Sequence, residues 1–199
     1  MPKEQAQQDA IERARAELTE VNIAARCAAL SLPEPAGGRL LLRMFGRECA
    51  LILNTLELID PRTGEPAKAG DLILLLHFLQ CDMPVVRTGE LVSFREFSGG
   101  QFYYEPFRSR TVKPLLGRFG GDLDGLRRNL ARFDWTPYPR GDVGVRIRAL
   151  GPLEIVLIYN APDEEFGASA EVLFDAAAKR ALCAEDAAVL ASRICIGLL

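Results

Sequence analysis

The chain has 199 residues, 49% of them apolar and 26% charged, with a formal net charge of −3. That length suits one large domain or two small ones with a substantial core, and the acidic balance argues against a general nucleic-acid or anionic-membrane binder. No run of about 18 apolar residues occurs, so no membrane span is expected. The charged start MPKEQAQQDAIERARAEL lacks the apolar region of a secretory leader. A cytoplasmic protein is the expectation.

From Lys3 to Leu30 the residues Ile11, Ala14, Leu18, Val21, Ala25 and Ala28 recur at three- and four-residue steps, which predicts one amphipathic helix. Pro33, Pro35 and Gly37-Gly38 end it. Arg39–Phe45 and Glu48–Leu53, with Gly46-Arg47 between them, read as a β-hairpin, and Thr55–Asp60 as a third strand. Asp71 is a candidate N-cap for LILLLHFLQC, a helix apolar on nearly all sides and therefore central, ended by Pro84.

Leu91–Phe94 reads as a short strand, and Arg108–Phe119 as a helix that Pro114 limits or kinks. Leu123–Phe133 again has helical spacing, and WTPYPRG reads as a rigid loop. Val143–Ala149 and Leu153–Tyr159 form a second hairpin around Gly151-Pro152, with alternation in the first strand and an apolar run in the second. PDEEFG is an acidic loop, Glu171–Phe174 a short strand and Ala184–Ile196 a closing helix. The sum is one α+β domain over residues 1–199. Its mostly antiparallel sheet is built from two hairpins plus a short strand, around a central buried helix with N- and C-terminal helices.

The segment SFREFSGGQFYYEPF, Ser93 to Phe107, holds six aromatic rings and a Gly-Gly pair. From Ser93 to Arg118 the basic residues Arg95, Arg108, Arg110, Lys113 and Arg118 face only Glu96 and Glu105, a local +3 inside an acidic chain. Arginines beside rings suit a flat anionic ligand, since a guanidinium bonds the anion while a ring covers the apolar body. Gly99-Gly100 would let backbone amides approach it. The plain alternative puts Phe94, Phe102 and Phe107 in the core and the arginines in water.

His77 is the only histidine, which excludes multi-histidine metal sites and makes any Ser-His-Asp arrangement depend on it. Its spacing to Cys81 puts both on one helix face, which permits joint metal ligation or an axial role of His77 toward a tetrapyrrole. The alternative is a hydrogen-bonded core histidine. The five cysteines are scattered, with no CxxC pair, and Cys27 and Cys183, set among alanines, read as buried apolar filler. Asp163-Glu164-Glu165 reads as a solvated acidic loop rather than a cation site. No P-loop, GxSxG, HExxH or GxGxxG is present, and no metal site is expected.

Several segments together resemble the prokaryotic domain of unknown function thirty-seven eighty-six, a family of anaerobic bacteria and archaea. They are LLRMFGREC, LLLHFL around His77, GELVSFREFSGGQFYYEPFRSRTVKPL, and DEEFGASAEVLFDAAAKRALCAEDAAVL. The chain departs from the family's expected pattern at Ala168 and Ala170, in a loop expected to be more polar or proline-containing. The family carries no established activity and supplies no catalytic residues. The resemblance implies a context of iron–sulphur and corrinoid proteins, hence a corrinoid or other tetrapyrrole as candidate cofactor and an iron–sulphur or corrinoid protein as candidate partner.

Three functional expectations follow. The first is a ligand-binding or accessory protein of anaerobic metabolism, its pocket lined by His77, Arg95, Tyr103, Tyr104 and Arg108. The second is an enzyme acting on a small anionic substrate, with Glu96 as acid/base and Arg95 or Arg108 stabilising the developing anion. The third is a structural protein-interaction module whose basic strip docks an acidic partner.

Overall fold

A two-residue turn starts the sheet. Strands β1 (Arg39–Met44) and β2 (Arg47–Ile52) pair Met44 against Arg47, so the connection is Phe45-Gly46, one residue earlier than expected. Both turn residues have positive φ, 51° and 76°, the twist that matches paired strands. Glycine is required at the second position, because a Cβ at Gly46 would lie 2.1 Å from the Arg132 carbonyl oxygen.

The computed structural model describes residues 2–199. Its antiparallel sheet adds β3 (Glu57–Ile59), β4 (Leu91–Ser93), β5 (Trp135–Pro137), β6 (Val143–Leu150), β7 (Leu153–Asn160) and β8 (Ser169–Asp175). The order is β3-β2-β1-β6-β7-β8-β4, with β5 also paired to β6. The first hairpin meets β6 at its end, where Met44 pairs with Leu150 and the Phe45 N–H donates to the Ala149 carbonyl at 2.8 Å, while β5 occupies the same edge further along, from Ile147 to Val145. WTPYP is thus partly a strand: at an edge, Pro137 loses nothing by lacking an N–H.

Helices cover one face: α1 (Pro2–Leu18), α2 (Ile23–Ala29), α3 (Ala69–Gln80), α4 (Tyr104–Arg110), α5 (Val112–Phe119), α6 (Leu123–Leu130), α7 (Ala178–Ala181) and α8 (Ala184–Gly197). The single N-terminal helix expected from the apolar stripe is two helices. Asn22 caps the second by accepting the Ala25 N–H at 3.1 Å. The stripe changes phase there, so Cys27 and Leu30 are buried while Ala25 and Ala28 face water.

Pro114 acts earlier than its own position. It cannot donate to the carbonyl four residues back and its ring crowds that group, so the helix breaks at Thr111 and α4 and α5 separate. The central helix α3 is as expected, with Leu72, Leu74, Leu75, Leu76, Phe78 and Leu79 buried. Its cap differs: Lys68 is the N-cap, α3 ends at Gln80, and Asp71 lies in the first turn with its carboxylate bound elsewhere. On β6 the residues Val143, Val145, Ile147 and Ala149 enter the core. Strand β7 is buried on both faces because Val156 and Ile158 meet Leu173, Leu91 and Tyr138 on the outer side.

Candidate functional site

The aromatic segment folds on its own hydrogen bonds before it meets anything else. The Glu96 carboxylate accepts the Ser93 N–H at 2.7 Å and closes a capping box around the 3-10 turn Phe94–Glu96. The chain then doubles back so tightly that a Cβ at Gly100 would lie 2.0 Å from the Phe94 carbonyl oxygen. Gly100 therefore serves this internal contact and not the approach to a ligand. Phe94 stacks on Phe107 with ring centroids 4.1 Å apart, and Phe97 meets Phe174 of β8 edge-on at 5.0 Å. Phe94, Phe97 and Phe107 are core residues, whereas Phe102, expected in the core, is 89% exposed.

Between this segment and α8 lies a cavity of about 380 Å³. Phe94, Phe107, Pro106 and Tyr103 wall one side, and Ala184 and Ala188 of α8 wall the other. Arg110 and Glu185 supply the charges at its rim. The volume lies within the small-molecule range, toward its lower end. Arg110 is exposed and, among the described residues, makes no ion pair or side-chain hydrogen bond. Of the expected pocket residues, Tyr103 lines this cavity. Arg95, Tyr104, Arg108 and His77 do not.

Those four have other partners. The Arg95 guanidinium lies 3.9 Å above the Tyr104 ring, so this pair is brought together but closed on itself. Arg108 and Lys113 both reach Glu105, at 3.4 and 3.2 Å, and hold its carboxyl below the usual carboxylate range, the Lys113 bond contributing most. Glu96 is exposed, engaged as a cap, and outside the cavity.

His77 belongs to a different cluster. Its Nδ1 lies 2.9 and 3.0 Å from the two carboxylate oxygens of Asp186 in α8. That hydrogen bond raises the imidazole pKa; partial burial opposes it, and the charges of Asp186, Glu17 and Glu185 add to it. Cys183 is the N-cap of α8. Its Sγ accepts the Asp186 N–H at 3.5 Å and donates to the Asp186 carboxylate at 3.2 Å. This corrects the expectation of a buried filler: Cys183 is exposed and acts as a cap, while Cys27 and Cys195 are the buried thiols. Burial pushes the Cys195 thiol up to about 12.

A carboxylate behind Nδ1 leaves Nε2 as the free ring nitrogen, the arrangement that orients a metal-ligating histidine. Two observations argue against a tetrapyrrole on it. His77 stands outside the cavity beneath the aromatic segment, and that cavity contains no histidine. Cys81, one turn on, donates to the Met83 carbonyl at 3.4 Å, and among the described residues no group of three His, Cys, Asp or Glu is placed to hold a metal ion. The residues present do not form an enclosed macrocycle site.

A second cavity, about 330 Å³, lies between the β1–β2 turn, the loop before α3 and the second half of α8. In its wall Arg193 donates to both oxygens of Asp71, from Nε at 2.5 Å and Nη2 at 2.6 Å, and covers Phe45 at 5.5 Å. Cys49 shares this wall. Burial first, then Asp71 and Asp60, raise its pKa against the opposing effect of Arg47 and Arg193, so it is not a poised nucleophile. The sequence held no sign of the Asp71–Arg193 pair beyond an acid in an otherwise apolar helix and an arginine interrupting an apolar tail.

No curated protein and no solved structure matches the chain. The family described as Domain of unknown function (DUF3786) matches residues 22–196, which include the whole sheet, the cavity beneath the aromatic segment and the lining of the second cavity except Gly197. The chain belongs to that family.

Proposed function

We infer that the chain is a non-catalytic, cytoplasmic binding protein that seats a small, partly flat organic anion in the cavity between the aromatic segment and α8. One observation carries the reading. The cavity of about 380 Å³ is walled by Phe94, Phe107 and Tyr103, and the only cation lining it, Arg110, has no protein partner among the described residues. Glu185 lines the same cavity but forms no ion pair with Arg110 among the described residues, and a guanidinium left unpaired beside a ring wall matches an anionic group joined to a flat apolar body. Engagement of Glu96 in a cap favours binding over acid–base chemistry. An accessory role in anaerobic metabolism, beside iron–sulphur or corrinoid proteins, is the context that the family resemblance implies.

The test is a thermal-shift series with aromatic carboxylates, haem and cobalamin, on the wild type and Arg110→Gln. A ligand at one hundred times its Kd stabilises by about 2.7 kcal/mol, which raises Tm by roughly 5–10 °C for a chain of this size. The expected result is such a shift with at least one aromatic carboxylate, reduced in R110Q, and none with the macrocycles. Aromatic carboxylates that leave Tm unchanged, or shift both proteins equally, refute the reading.

A second reading rests on Phe102, 89% exposed at the tip of the same segment, and Tyr103, 63% exposed. Together with Arg95 and Lys113 they suit docking to an acidic partner such as an iron–sulphur or corrinoid protein. Co-purification that weakens with salt and with Phe102→Ser would favour this reading over the first.

A further inference from the structure

The outer face of the sheet carries an arginine cluster that the candidate site does not use. Arg146 and Arg148 leave β6 on the side away from the helices, because the alternate residues Val145, Ile147 and Ala149 fill the core. Glu154 of β7 pairs in register with Arg148, yet its carboxylate is taken by two other arginines. Oε1 accepts Arg146 Nη1 at 2.5 Å and forms an ion pair with Arg87 Nε at 3.1 Å. Asp134, the other acid there, is paired with Arg43 at 3.1 Å.

The cluster therefore sets four arginines against two carboxylates. Glu48, across from Arg43 in the hairpin register, makes no ion pair with it among the described residues. Each guanidinium offers five N–H donors, so sharing Glu154 leaves most of those on Arg87 and Arg146 free. Arg148 is exposed and, among the described residues, its side chain has no hydrogen bond or ion pair at all. A shallow cavity of about 190 Å³ is lined by Arg87, Arg146, Arg148 and both acids, together with Trp135 and Thr136 of β5. Trp135 is the only tryptophan in the chain and is 42% exposed.

We propose that this shelf binds a phosphate-bearing ligand with an aromatic ring, of the nucleoside diphosphate class, Arg148 and Arg87 holding phosphate oxygens and Trp135 covering the ring. Guanidinium donors left over after both carboxylates lining the shelf, Glu154 and Asp134, are engaged match phosphate oxygens in geometry and charge. An exposed indole beside them supplies a stacking surface for a base. The excess is local and positive in a chain whose net charge is −3, so the attraction is confined to the shelf and screened by salt.

The single tryptophan reports directly on its own site. Its fluorescence is titrated with adenosine diphosphate, adenosine and inorganic phosphate on the wild type, Arg148→Gln and Tyr103→Ala. The expected result is saturable quenching by the diphosphate that weakens with added salt, and none by adenosine at the same concentrations. Removing a charged hydrogen-bond donor weakens binding about tenfold or more, so R148Q is expected to show that loss. Y103A, altered in the other cavity, is expected to keep wild-type quenching, which separates this outcome from that of the proposed function. Quenching by adenosine equal to that by the diphosphate, unchanged affinity in R148Q, or no saturable quenching overturns the proposal. The Arg148 side chain has no hydrogen bond or ion pair among the described residues, so loss of structure in R148Q is not expected, and far-UV circular dichroism checks this.

Discussion

Replacing His77 with glutamine removes the chain's only imidazole while keeping an N–H that can still reach Asp186. In the native protein the pair joins α3 to α8 across 109 residues of sequence. The imidazole pKa is raised, first by the hydrogen bond to Asp186 and further by the Asp186, Glu17 and Glu185 charges, against the opposing effect of burial. The sign follows from that direction. A folded pKa above the unfolded value of about 6.5 gives a contribution that is complete below pH 6.5 and lost as pH rises through the raised folded value. A hydrogen bond to a charged group is worth about 1.5–3 kcal/mol and a neutral one about 1. Neutral His77 can still donate, and its side chain is one-third exposed (33%), so the pH-dependent part is about 1 kcal/mol. Urea unfolding of the wild type and H77Q at pH 5.5 and 8.5 measures it as a difference, in which other titrating groups cancel. The wild type is expected to lead at pH 5.5 by about 1 kcal/mol more than at pH 8.5. The single imidazole resonance gives the folded pKa independently. A midpoint at or below 6.5, or a lead that grows with pH, refutes the reasoning.

Three further outcomes test the packing. Phe94→Ala is expected to cost about 3–5 kcal/mol in urea unfolding, because its ring is buried against Phe107, whereas Phe102→Ala stays within about 0.5 kcal/mol. Asp71→Asn leaves Arg193 without its carboxylate at a site where that side chain is only 25% exposed. The expected loss is about 3 kcal/mol, and the double variant Asp71→Leu/Arg193→Met should recover most of it. Gly46→Ala combines a positive φ with a clash against the Arg132 backbone, so chemical denaturation should show a loss above about 2 kcal/mol.

The parts of the fold legible in the sequence were those set by local physics. Alternation in Val143–Ala149 and the apolar run in Leu153–Tyr159 identify one strand with a single core face and one buried on both, and the structure has them so. The breaks were harder to see. Asn22 interrupts a stripe of good helix formers only because it is an effective cap, and Pro114 acts three residues before itself, at Thr111. Trp135–Pro137 looked like a loop because its composition is that of one, and its pairing with β6 is tertiary. At the candidate site the aromatic run was visible, and Tyr103 within it lines the cavity. Glu185 was not visible, since it reaches the cavity from the far end of the chain. The same holds for Asp186 as the partner of His77.

Helix α8 ties these features together. It touches α3 at two polar points, Asp186 with His77 and Arg193 with Asp71. The higher number on one helix meets the lower on the other, so the two run antiparallel. Six residues separate the anchors on α3 and seven on α8, about 9 and 10.5 Å at 1.5 Å per residue. The spans match closely enough for both bonds to form on straight helices. Between these anchors Leu190, Ala191 and the buried face of α3 exclude water. Ala184, Glu185 and Ala188, which form one wall of the cavity beneath the aromatic segment, lie on the turns next to the Asp186 anchor. That wall cannot shift along the helix axis without lengthening the His77 bond, and it cannot tilt without straining the Arg193 pair. The α8 wall of the cavity is therefore anchored by side chains that do not line it, one of which is the chain's only histidine.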